Sequence, residues 1–90
     1  MEKTIKDHLV CALDDLGSEN LKKFKNKLCD RKGEPRVRRG NVEKLEYTMD
    51  LADLLINTFT TRSAVEVTVE ILTAIGCNQV AADLKKDVSG

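Results

Sequence analysis

Apolar residues return every three or four positions along most of this 90-residue chain, and that period predicts helices separated by short breaks. Ile5, Leu9, Leu13 and Leu16 mark the first helix, with Thr4 ahead of it and Asp7 three residues on, in the arrangement of a capping box. Gly17 is placed to end that helix and Ser18 to cap the next, whose apolar face is Leu21, Phe24 and Leu28. Lys22, Lys23, Lys25 and Lys27 fill the remainder, which gives the second helix a basic exposed surface. From Asp30 to Gly40 the period stops. Arg31, Lys32, Gly33, Glu34, Pro35 and Arg36 combine turn formers with charge, so this stretch reads as a long basic loop.

Asn41 is expected to cap a brief third helix carrying Val42 and Leu45. Thr48 is expected to cap a fourth, apolar along Leu51, Leu54, Leu55 and Phe59, with Asp50 and Asp53 on its flank. Ser63 and Glu66 form a second capping-box pair ahead of Val65, Val69, Leu72 and Ile75, and Gly76 closes that helix. Asn78 opens the last, anchored by Val80 and Leu84. The alternation Val65-Glu66-Val67-Thr68-Val69 would suit a strand by propensity. A lone strand has no partner elsewhere in the sequence, and the span from cap to Gly76 fits a helix. The expected fold class is therefore all-α: six helices in an antiparallel bundle, the third short and preceded by the long basic loop.

Composition narrows this further. A chain of this length supports one core, so residues 1–90 are expected to form a single domain. Phe24, Phe59 and Tyr47 are the only aromatic residues, which leaves an aliphatic, leucine-rich core. No stretch approaches the roughly 20 apolar residues of a membrane-spanning helix. Charges occupy the N-terminal positions where a secretory signal would be apolar. Cys11, Cys29 and Cys77 are odd in number and lack metal-type spacing. No disulfide framework is expected, each cysteine reads as a small core or boundary residue, and a reducing, cytoplasmic compartment follows.

The formal net charge is zero, but the charge is unevenly placed. Residues 1–21 carry a net of −3, residues 22–39 a net of +7, and residues 40–70 a net of −4. A neutral chain polarised in this way can attract a copy of itself or a relative. A merely solvated basic face is the plainer alternative. A nucleic-acid binder is another, opposed by a sequence pI near 6.6 and by the lack of aromatics interleaving the exposed basic cluster to stack on bases.

Catalytic chemistry has little to stand on. His8 and Cys11 share a helix, yet a thiolate mechanism also needs an orienting group and an oxyanion site. Asp14 and Asp15 are adjacent and point in different directions on a helix, so they form no carboxylate dyad. With no glycine-rich phosphate loop and no metal-ligand spacing, the reading is a non-enzyme with no catalytic residue, cofactor or metal.

Specific residues carry a resemblance. Ala12-Leu13-Asp14-Asp15-Leu16, followed by Leu21-Lys22-Lys23-Phe24-Lys25-Asn26-Lys27-Leu28, resembles the start of pyrin domains of the death-fold superfamily. Arg36-Val37-Arg38-Arg39-Gly40, Asp50-Leu51-Ala52-Asp53-Leu54-Leu55, and the stretches 64–75 and 78–84 are similar to the family's later segments. The resemblance spans essentially the whole chain and looks most like the pyrin domain of an inflammasome component, either an adaptor or a receptor. It implies the six-helix death-fold bundle and the N-terminal module of a longer protein.

It also implies homotypic association with pyrin domains of the same or related proteins (adaptor, receptor or caspase) in innate immune and cell-death signalling. In such domains an acidic patch on the first and fourth helices meets a basic patch on the second and third helices of the next molecule. The contact joins two different faces, so it propagates into a filament. Residue by residue, Asp14, Asp50 and Asp53 match the acidic positions, and Lys22, Lys27 and Arg39 match the basic ones. Where the family often has an acid just before the fourth helix, this chain has Tyr47, with Glu46 beside it as a substitute. Rival readings are a sister death-fold module such as a caspase-recruitment or death-effector domain, a decoy that binds without polymerising, and a nucleic-acid binder using residues 22–39.

Overall fold

Thr4 starts the first helix as its sequence predicts. Its hydroxyl accepts from the Asp7 amide at 3.2 Å, and the Asp7 carboxylate accepts from the Thr4 amide at 3.1 Å. In the computed structural model, which describes residues 4–30, 37 and 39–89 apart from the side chains of Arg39 and Ser89, six helices follow. They are α1 (Ile5–Asp14), α2 (Gly17–Asp30), α3 (Arg39–Glu43), α4 (Thr48–Thr58), α5 (Thr61–Ala74) and α6 (Asn78–Ser89). Among the described residues there is no strand, and none of the helices is long and apolar enough to cross a membrane.

The two interior glycine stops hold for a physical reason. Gly17 and Gly76 take φ of +76° and +88°, a region where a Cβ is strained. At Gly76 the amides of Gly76 and Cys77 donate back to the carbonyls of Thr73 and Leu72, at 3.2 and 2.8 Å, and close α5 in a Schellman arrangement. The ambiguous 65–69 stretch lies inside α5. Thr68 is fully buried there, and its hydroxyl donates to the Ala64 carbonyl at 2.7 Å, so the one buried polar side chain among the described residues is satisfied by its own helix.

Several boundaries differ from the sequence expectation. Ser18 lies inside α2, because the turn at Gly17 leads straight into the helix with no separate cap residue. The third helix begins at Arg39, so Asn41 is within it, and Leu45 falls past its end with its amide donating to Val42. Val42 is fully buried and fixes this short element. Thr48 is not a cap; the N-cap of α4 is Tyr47, in extended conformation and without a side-chain cap bond. α5 is capped by Thr60, whose hydroxyl accepts from the Ser63 amide at 3.3 Å, so Ser63 is inside the helix. The earlier start follows from burial: Phe59 ends α4 on the inside, and Ala64 and Val65 must already face inward one turn later.

Val37, in the segment read as a loop without apolar anchors, is buried against the core. The neighbouring residues 31–36 and 38, with most of the expected basic loop, lie outside the described residues. Cys11 is exposed instead of lying in the core or at its boundary, whereas Cys29 and Cys77 sit at the boundary as expected.

The core is aliphatic apart from the rings of Phe24 and Phe59. Phe24 is fully buried with Leu9, Leu13, Leu28, Leu51, Leu55 and Leu72 around it in one cluster. α5 runs through the middle of the bundle and packs against α1, α2, α4 and α6. α1 lies along α4 and α6, and α2 carries α3. Two helix pairs, α1 with α4 and α2 with α3, thus turn outward faces of their own while sharing the core beneath.

Candidate functional site

The acidic residues singled out in the sequence come from two helices and a connector, and the packing of α1 on α4 brings most of them together. Asp14 ends α1 and Asp50 lies in the first turn of α4. With Glu46 they border one shallow depression of about 520 Å³, whose remaining lining is Val10, Tyr47, Thr48 and Met49. The Thr48 hydroxyl donates to the Asp14 carboxylate at 2.6 Å across 34 residues of sequence. This bond ties the end of α1 to the start of α4 and holds one acid of the rim in place.

Asp53 stands one turn further along α4, and its carboxylate is 2.7 Å from the Lys6 ammonium on α1. The pair is about half exposed, so its contribution to stability is small. Its effect on the face is larger, because Lys6 offsets the charge of one of the expected acids. Asp14, Glu46 and Asp50 are the more available carboxylates of the set.

On the other pair, Phe24 and Leu28 turn α2 toward the core and leave Lys22, Lys23 and Lys27 exposed. At about 100° per residue, Lys22 and Lys27 point about 140° apart. The basic surface therefore wraps around α2 instead of forming a narrow stripe. Lys25 is turned inward and donates to the Leu45 carbonyl at 2.9 Å, which fastens α2 to the connector beyond α3. Arg39 begins α3, and its side chain lies outside the described residues.

Sequence reasoning missed the Thr48–Asp14 bond, the Lys6–Asp53 pair, the internal use of Lys25, and the exposure of Tyr47 and Met49. The first three join residues far apart in the chain and leave no periodic trace. The last had a signal: Tyr47 and Met49 fall outside the Leu51, Leu55 and Phe59 stripe. They are 68% and 57% exposed.

His8 Nδ1 lies 3.9 Å from the Asp87 carboxylate, joining α1 to α6 at a distance too long for a hydrogen bond. Among the described residues no cluster of His, Cys, Asp and Glu is arranged to hold a metal. A wider groove of about 820 Å³ between α5, α6 and the start of α1 has an apolar floor, with Arg62 and Lys85 balanced by Glu66 and Glu70 on its rim. What the first face can do chemically is bind a cation-bearing surface; what α2 can do is bind an anionic one.

A six-helix bundle with acidic and basic faces on separate helix pairs is a protein-interaction domain of the death-fold class. The family model of the PAAD/DAPIN/Pyrin domain matches residues 8–82, and the chain belongs to that family of homotypic interaction modules. It is 54% identical over 87 residues to the zebrafish (Danio rerio) apoptosis-associated speck-like protein containing a CARD, covering 97% of this chain and 43% of that protein. It is 56% identical over 84 residues to zebrafish caspase a, covering 93% of this chain and 22% of that protein. The chain thus spans less than half the length of these relatives. The solution structure of the pyrin domain of human Pyrin superposes with a TM-score of 0.86 at 27% identity, covering 94% of this chain and 97% of that one. Both the six-helix death-fold expectation and the family resemblance hold.

Proposed function

We propose that this domain assembles with pyrin domains of its own kind, in inflammasome-type innate immune signalling, through heterologous contacts between its acidic α1–α4 face and a basic α2–α3 face. The observation that carries the reading is the segregation of charge: Asp14, Glu46 and Asp50 border one depression, while Lys22, Lys23 and Lys27 stand exposed on α2. The acidic set is Asp14, Glu46, Asp50 and, less strongly because of Lys6, Asp53; the basic set is Lys22, Lys27 and Arg39. Two different complementary faces on one molecule propagate instead of closing as a dimer. Charge sets encounter rate and partner choice, and apolar contact between the faces supplies much of the affinity.

The domain acts by binding, without catalysis, in the cytoplasm, as one module of a longer protein. The names of its relatives, an apoptosis-associated speck-like protein containing a CARD and a caspase, support partners of those kinds. The test is assembly after release from a solubilising fusion at about physiological salt, where the screening length is roughly 8 Å. Light scattering with negative-stain microscopy is expected to show filaments for the native chain and none for Lys22→Glu or Asp14→Lys, with circular dichroism unchanged. Normal assembly by both variants would sink the charge-pair mechanism. A native domain that forms a finite complex with a pyrin partner but never polymerises would favour a decoy.

A further inference from the structure

The acidic depression is not only acidic. Tyr47 and Met49 are the exposed large hydrophobic residues among those described, at 68% and 57%, and both line it together with Val10. Its charged lining residues are Asp14, Glu46 and Asp50, with no base among them. The α5–α6 groove, by contrast, balances two acids with two bases. An apolar floor inside a purely anionic rim suits one kind of group: a cation carried on an apolar stem. Lysine is such a group, and α2 of this same chain displays Lys22, Lys23 and Lys27.

We propose that Tyr47 and Met49, with Val10, form an apolar seat for the aliphatic stem of an α2 lysine from a second copy of the chain. This deepens the assembly reading above and rests on it. The stem packs on Met49 and Val10, and the ammonium reaches Asp14, Glu46 or Asp50 at the rim. The Tyr47 ring offers its face to the same cation. Tyrosine loses little conformational freedom on docking and is enriched among the residues that dominate interface energies. The Thr48–Asp14 bond keeps one side of the rim fixed before contact, which lowers the ordering cost of association. In this division of labour the seat sets how tightly copies hold, and the rim sets how strongly salt loosens them.

The two roles separate experimentally through the critical concentration for assembly, measured at several salt concentrations by sedimentation of the 90-residue chain. Tyr47→Ala is expected to raise the critical concentration at least tenfold and leave its salt dependence unchanged. Tyr47→Phe, which keeps the ring, is expected to behave as the native chain. Asp50→Asn is expected to flatten the salt dependence. A Tyr47→Ala, Met49→Ala double variant that assembles at the native threshold would overturn the seat and leave the charged-face reading standing. So would a Phe variant as weak as Ala. Self-assembly insensitive to Tyr47→Ala, with lost binding to a basic-faced pyrin domain of different sequence, would assign the seat to that other partner and overturn the proposal. A native chain that never associates would overturn the proposed function itself.

Discussion

The α1–α4 face and the α2 face carry opposite charge, and they are built in opposite ways. On the acidic side the short carboxylates are partly fixed before any partner arrives: Asp14 accepts from Thr48 at 2.6 Å and Asp53 sits 2.7 Å from Lys6. On the basic side Lys22, Lys23 and Lys27 are exposed on long flexible stems, while Lys25 is committed to the Leu45 carbonyl. In the proposed contact a fixed receptor with a reduced field would meet a mobile donor with a strong one. Flexible lysines can search for a geometry and steer encounter at a distance, while a preorganised pocket limits the ordering that binding must impose. In that proposed contact specificity would reside mainly in the acidic face and attraction mainly in the basic one.

Substitutions can break this contrast or sharpen it. The largest effect removes both faces at once: Phe24→Ala empties a fully buried site and is expected to destabilise the domain by about 3–5 kcal/mol, read by urea unfolding. That is a large share of what so small a domain has to lose. Reversing charge on either face comes next. Lys22→Glu and Asp14→Lys should each weaken association at least a hundredfold, or about 2.8 kcal/mol, with the melting temperature hardly moved. Gly76→Ala forces a side chain into φ near +88° and should destabilise by about 1–2 kcal/mol without altering affinity per folded molecule.

Thr48→Val probes the fixed receptor itself. It removes the bond that holds Asp14 and should weaken association roughly threefold to tenfold, matching the value of one hydrogen bond. Lys6→Ala is the smallest: about 0.5 kcal/mol of stability from a half-exposed ion pair, together with a steeper salt dependence of assembly as Asp53 regains its charge. If Lys6→Ala left the salt dependence unchanged, Asp53 would be excluded from the contact.

The fold was legible in the sequence wherever one face of a helix had to be buried. The Leu9–Leu13, Phe24–Leu28 and Leu51–Leu55 pairs at helical spacing all reach the core, and the Gly17 and Gly76 stops carry the backbone signature that only glycine adopts easily. Helix starts were less legible because hydroxyl residues compete for the cap. Thr60, Thr61 and Ser63 all qualify by type, and the burial of Phe59, Ala64 and Val65 decides between them. Thr48 looked like a cap and instead bonds across to α1, since its partner lies 34 residues away. Charge told which helices carry the candidate site. It could not tell that Lys6 offsets Asp53 or that Lys25 is spent internally, because both depend on packing between elements distant in sequence.

The central claim is that one molecule bears two different faces that fit each other, and it is tested most directly by mixing two broken molecules. Asp14→Lys retains an intact basic face, and Lys22→Glu an intact acidic one. By sedimentation velocity at about physiological salt, each variant alone should run as a monomer, and the equimolar mixture should form complexes through the native face that each still offers the other. A mixture that remains monomeric, or variants that each assemble alone as the native chain does, would contradict the account.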